Sequence, residues 1–144
     1  MGIRSIDWED IKIGEEAMFS RVIDKETVGS FIAISGDINP IHSDEEFSSK
    51  TVFKQPIAPG MLLASLFSAL VGVYLPGRDS LYLSQTLNFK NPVFVGDEVV
   101  VWGRVVKKVE SLGVMYIKTE IKRGKQVLVE GEAAVKHLNY EKRK

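Results

Sequence analysis

Apolar and polar positions along the chain change their period once, near residue 80. Before that point, EEAMFSRVID (15–24) reads as a first strand. KETVGSFIAISG (25–36) follows as a short helix, with Val28, Phe31, Ile32 and Ile34 spaced to turn inward together. SDEEFSSK (43–50) predicts a further short helix, with Ser43 or Asp44 as N-cap and acids in the first turn, where the helix dipole favours them. PGMLLASLFSALVGVYLPG (59–77) carries no charge between Gly60 and Pro76, and a helix apolar all round is a buried one. Beyond residue 80 the spacing turns to period two or to unbroken β-branched runs. SLYLSQTLNF (80–89), EVVVWGRVVKKV (98–109), VMYIKTEIKR (114–123) and QVLVEGEAAVKHL (126–138) predict four strands, punctuated by turns at NPVFVGD, ESLG and GK.

These elements constrain one another. Short connections make the four late strands an antiparallel meander, and with the early strand they form a sheet of five. One sheet face cannot bury a helix that is apolar on every side unless the sheet curls around it. The expected fold is therefore α+β, a curved antiparallel five-stranded sheet wrapped around a long central helix, the architecture known as the hot dog. Sheet edges and part of the helix stay uncovered, which points to a homodimer or a higher homo-oligomer of dimers. The 59–77 segment is interrupted by Ser65, Ser68 and Gly72 and lacks flanking basic clusters, so a bilayer span is disfavoured.

Composition narrows the chemistry. A chain of 144 residues suits one domain, 1–144, with a core of its own. Nineteen basic residues balance nineteen acidic ones, so no net field recruits nucleic acid or an anionic membrane. The absence of cysteine excludes disulfides, thiolate metal sites and thiol nucleophiles, and the two histidines, His42 and His137, are too far apart in sequence for a histidine-rich metal site. No apolar run of signal-peptide length opens the chain, so a cytoplasmic protein is expected.

The chemistry-bearing stretch is ISGDINPIHSD (34–44). Pro40 forbids a helix interior and pushes Asn39 toward extended geometry, so Asp37 and His42 sit on a shaped loop. From the residues alone the structural readings come first: Asp37 as a helix C-terminal or Asx-turn residue, and His42 as an exposed loop histidine or part of the next N-cap.

ISGDINPIHSDEEF, followed by PIAPGMLLASLFSALVGVYLPG and LYLSQTLNFKNPVFVGDEV, resembles the MaoC-like hydratases, and within them the short (R)-specific enoyl-CoA hydratases, from about Phe31 to Val101. The resemblance implies reversible syn addition of water to a trans-2-enoyl-CoA, giving an (R)-3-hydroxyacyl-CoA. It makes Asp37 and His42 the acid/base pair, Ser68 a supporting serine, and the Gly60 amide the donor to the thioester oxygen. The CoA thioester is then the substrate, and neither cofactor nor metal is implied. The chain departs from many relatives in carrying Pro59 where they have histidine before Gly-Met; proline suits the first turn of a helix, and His42 is left as the only local imidazole.

The residue types suit that reaction. A carboxylate and an imidazole on either side of one water orient it and take its proton, while a helix N-terminus supplies amides to an enolate oxygen. Ser68 also fits a helix serine bonded back to a carbonyl, with Ser65 on another face. Asn39 is expected to shape the turn and His137 to lie away from the site. Arg78, Lys90 and Lys54 are read as surface charges within conceivable reach of CoA phosphates, and Val71 and Leu75 as tunnel-lining residues. Two other functions compete: a hot dog thioesterase and a noncatalytic acyl-thioester-binding module.

Overall fold

The computed structural model describes residues 2–140. The chain runs through β1 (Glu16–Val22), α1 (Lys25–Ser35), a 3-10 turn (Pro40–His42), α2 (Glu45–Ser49) and α3 (Gly60–Ala69), which continues into a π-helical turn (Leu70–Tyr74). Five strands follow: β2 (Ser80–Gln85), β3 (Asn88–Phe89), β4 (Glu98–Val109), β5 (Val114–Arg123) and β6 (Gln126–His137). All pairings are antiparallel, in the spatial order β1-β4-β5-β6-β2, with β3 also on β6.

The central helix lies against the concave face of this sheet. Leu62, Leu63, Leu66, Phe67 and Leu70 pack with Val99, Val101, Ile121, Leu128 and Val129 into one cluster. The helix continues into a second cluster, where Val71 and Leu75 meet Val105, Met115, Ile117, Ala133 and Val135, closed from outside by Trp8 and Ile11. Contact between layers is close enough that a side chain at Gly103 would displace its neighbour. A Cβ on Gly103 would stand 2.8 Å from Leu70 Cδ2.

The predicted 80–89 strand breaks in two. A register shift between Tyr82 and Ser84 bends β2, and strand geometry lapses at Thr86–Leu87, where Thr86 still bonds Glu132 of β6 through its N–H and its hydroxyl, before β3 re-pairs with β6. Gly131 makes the break possible, since a Cβ there would lie 1.8 Å from the Thr86 carbonyl oxygen. The expected sheet holds in five positions, with its last one split into β2 and β3 beside β6; the expected four-strand meander does not, because 80–89 pairs with β6 rather than with its sequence neighbour β4.

Two further expectations are corrected. Regular α-helix over 59–77 ends at Ala69, and the chain leaves the following π turn at Leu75. Ile34 points to solvent, 87% exposed, while Val28 alone of α1 is fully buried and Phe31 and Ile32 pack at the core's edge. The helix lies on the rim of the core, too shallow to bury four positions. His137 is buried at the end of β6, where one ring nitrogen takes the Asn139 N–H and the other donates to the Ile6 carbonyl, pinning the N-terminal segment.

Candidate active site

Local hydrogen bonds build the loop that carries the acid and the imidazole. Asp24 caps α1 by accepting from the Thr27 N–H at 2.8 Å, and the Thr27 hydroxyl, together with that N–H, holds the Asp24 carboxyl below its ordinary range. Gly36 ends the helix in the left-handed region at φ 76°, where a side chain is disfavoured. Asp37 Oδ1 then accepts from the Asn39 N–H at 3.2 Å, and Asn39 Oδ1 from the Ile41 N–H at 3.2 Å. These two Asx turns steer the backbone into the Pro40–His42 turn. Asp44 caps α2 through the Phe47 N–H at 3.0 Å.

The turn presents His42 to Asp37. His42 Nε2 stands 3.2 Å from Asp37 Oδ2, with the imidazole side chain 10% exposed and the carboxylate 41%. His42 Nδ1 lies 2.8 Å from the Ile57 carbonyl oxygen. A carbonyl only accepts, so Nδ1 carries hydrogen and donates to it. Nε2 therefore meets Asp37 Oδ2 in an attractive contact when one proton lies between them. The pair is a proton-holding unit with its carboxylate end open to solvent. Asp37 is thus an Asx-turn residue through Oδ1 while Oδ2 faces the imidazole.

A residue that no sequence pattern singles out anchors this arrangement. Ser48, fully buried in α2, donates its hydroxyl to the Ile41 carbonyl at 3.2 Å, and the same oxygen accepts from the Ile57 N–H at 3.1 Å. The segment before the central helix is thereby stitched to the residue preceding His42. The register of Ser48, six positions beyond His42 across a turn, carries no periodic signal.

Ile57 also connects the pair to the helix start. A cavity of about 540 Å³ is bounded by α1 (Val28, Gly29, Ile32), His42, Pro56 and Val95. A second, of about 500 Å³, is lined by Ile57, Ala58, Gly60, Met61, Phe89 and Lys90. Gly60 opens α3, in the first turn where backbone amides lack intrahelical partners. The Phe89 ring lies over it so closely that a Cβ would stand 2.9 Å from Cδ1. Pro59 is buried as the cap of this helix.

The remaining candidates divide. Ser68 is exposed on α3, and Ser65 rather than Ser68 makes the bond back to a carbonyl, donating to Leu62 at 2.6 Å. The structure does not bring Ser68 to the Asp37–His42 pair within this chain. Val71 and Leu75 are buried in the second core cluster instead of lining either cavity, because the sheet and the N-terminal segment pack directly onto them. Lys90 pairs with Glu130 at 3.4 Å on the rim of the second cavity, Lys54 lies on the rim of the first, and Arg78 is exposed. Among the described residues no helix is long and apolar enough to cross a membrane.

Comparison with known proteins is consistent with this geometry. The (R)-specific enoyl-CoA hydratase of Aeromonas caviae is 44% identical over 129 residues, covering 89% of this chain and 96% of that protein. The solved structure of an (R)-hydratase from A. caviae superposes with a TM-score of 0.87 at 44% identity, covering 89% of this chain and 98% of the other. An unliganded R-hydratase from Pseudomonas aeruginosa superposes with a TM-score of 0.90 at 33% identity, covering 94% and 87%. Residues 10–127 match the model of the MaoC like domain. That span takes in the Asp37–His42 loop, the Gly60 helix start and most of the sheet around them, and the chain belongs to the MaoC-like dehydratase family.

Proposed function

We propose that this protein is an (R)-specific enoyl-CoA hydratase, a hydro-lyase that reversibly adds water to trans-2-enoyl-CoA to give (R)-3-hydroxyacyl-CoA. The observation that carries the reading is the 3.2 Å contact between His42 Nε2 and Asp37 Oδ2, on a loop tied through Ile57 to the start of the central helix. Water bound at this pair gives hydroxide to C3 and a proton to the pair. The pair returns a proton to C2, so the enzyme ends as it began. Negative charge that builds on the thioester oxygen is met by the Gly60 amide, a fixed donor in place of solvent. Ser68 is assigned a supporting contact to the substrate.

Ser68 lies on an exposed face of α3 with Met61, and β2, with Leu81 and Leu83 exposed, is an edge strand. A second copy covering these residues would form a homodimer and bring Ser68 under cover. The reaction as written needs no cofactor, and the protein is assigned to the cytoplasm.

The test is hydration of crotonyl-CoA, followed as loss of the conjugated thioester absorbance with a free-thiol assay in parallel. Absorbance loss without thiol release is expected. Thiol release would indicate a thioesterase, and neither signal a binding module.

A further inference from the structure

The cavity beside His42 has a feature that catalysis by the pair does not use. Its floor is apolar, formed by Val28, Ile32, Pro56 and Val95, and its rim carries Lys25, Glu45 and Lys54. Lys25 and Glu45 pair with each other at 3.3 Å, both exposed. Lys54 enters no ion pair among the described residues, so the rim holds one uncompensated cation. Lys54 also adopts φ 63°, left-handed backbone in which a Cβ is disfavoured and glycine is at home. A non-glycine residue held in this conformation at a cavity mouth motivates a functional reading.

A second observation concerns the opposite wall. Gly29 sits in the middle of α1, where glycine weakens a helix. Apart from its own stretch of helix, no atom lies within 4 Å of where its Cβ would stand, and its φ is not positive. Neither packing nor backbone geometry calls for glycine there, and its bare backbone leaves the cavity wider.

We infer that this cavity receives the phosphopantetheine arm of the substrate, with its apolar floor against the arm's methyl groups and Lys54 at the 4′-phosphate. The inference rests on the hydratase reading and names the part of the substrate shared by CoA and acyl carrier protein. The second cavity is a poorer match for the phosphate, because its cation, Lys90, is already paired with Glu130.

The test compares crotonyl-pantetheine, crotonyl-4′-phosphopantetheine, crotonyl-CoA and crotonyl-acyl carrier protein as substrates at low and high salt. Turnover of crotonyl-pantetheine by the wild type tests the hydratase reading alone, because that thioester has no phosphate. Lys54→Gly, which relieves the backbone as it removes the charge, is expected to raise KM for the three phosphorylated thioesters about two- to fivefold at low salt. It should leave kcat and the KM for crotonyl-pantetheine in place, and Lys54→Arg should restore the low KM. Gly29→Leu, which fills the cavity, is expected to raise KM for all four. The inference is overturned if Lys54→Gly shifts all four substrates alike or none, if only crotonyl-CoA responds, if Lys90→Met rather than Lys54→Gly removes the preference for the phosphate, or if Gly29→Leu changes no KM.

Discussion

Asp37 and His42 each spend one polar atom on the other and one on the backbone: Oδ2 faces Nε2, Oδ1 takes the Asn39 N–H, and Nδ1 donates to the Ile57 carbonyl. Loop shape and proton transfer are thus separable by mutation. Asp37→Asn keeps an oxygen for the turn and loses the base, so kcat for crotonyl-CoA hydration should fall about 10²- to 10⁴-fold with little change in Tm. Asp37→Ala should lose both activity and loop stability. Steady-state kinetics beside thermal melts distinguish the two, and an Asp37→Asn enzyme of near wild-type kcat would end the assignment. His42→Gln should match Asp37→Asn in rate.

Gly60 is pinned beneath Phe89, 2.9 Å from where its Cβ would be. Gly60→Ala should push the ring aside, tilt the first turn of α3 and misdirect the amide, lowering kcat by up to about a hundredfold. Phe89→Ala in the same chain should recover part of that loss, because the ring is the clashing partner. Equal kcat in the single and double variants would locate the effect elsewhere.

Ser65 and Ser68 lie one turn apart on α3, and only Ser65 bonds back to its own helix. Ser68→Ala should lower kcat/KM by about three- to tenfold, the worth of one hydrogen bond to the substrate. Ser65→Ala should leave it in place. The reverse order in steady-state assays would move the supporting role to Ser65.

Burial raises the Tyr82 hydroxyl to about 12, where it donates to Gln85 in a network that continues through Thr119. The unfolded side chain titrates near 10, so the raised value favours the protonated, folded form. This contribution is complete below about pH 10 and is lost as pH climbs from there toward about 12. Urea midpoints across that window should fall more steeply for the wild type than for Tyr82→Phe, which has no proton to lose. Parallel profiles would contradict the assignment.

Gly131 lets the Thr86 carbonyl approach β6 to within 1.8 Å of its would-be Cβ, just before β3, whose Phe89 lies over Gly60. Gly131→Ala should destabilise the fold by about 1–3 kcal/mol or more, since backbone rather than a movable side chain must give way. Denaturant titration checks this, and an unchanged midpoint would mean that the β2–β3 break tolerates a side chain.

Much of this architecture was legible in the order of residues because its causes are local. Strand alternation at 98–109 and 114–123 matches β4 and β5 at both ends, since period two reports a face buried against a core. The Asp-x-Asn-Pro-x-His string specified its own turns, because Asx bonds span two residues and the ring of Pro40 restricts its neighbour. Other features depended on partners distant in the chain. Nothing in 80–89 announced a break, because its cause is Gly131 on another strand. Nothing around Ser48 marked it as the anchor of Ile41 and Ile57, and nothing in the spacing of Ile34 revealed that α1 rides on the rim of the core. By itself the sequence determined which segments are helix, strand and turn and which loop bears the acid and the imidazole, because propensity, periodicity and short-range hydrogen bonds act within a few residues. Only the tertiary structure decided which nitrogen of His42 faces Asp37, which glycines are compulsory and where space is left for a ligand, because these follow from atoms brought together across the chain by burial.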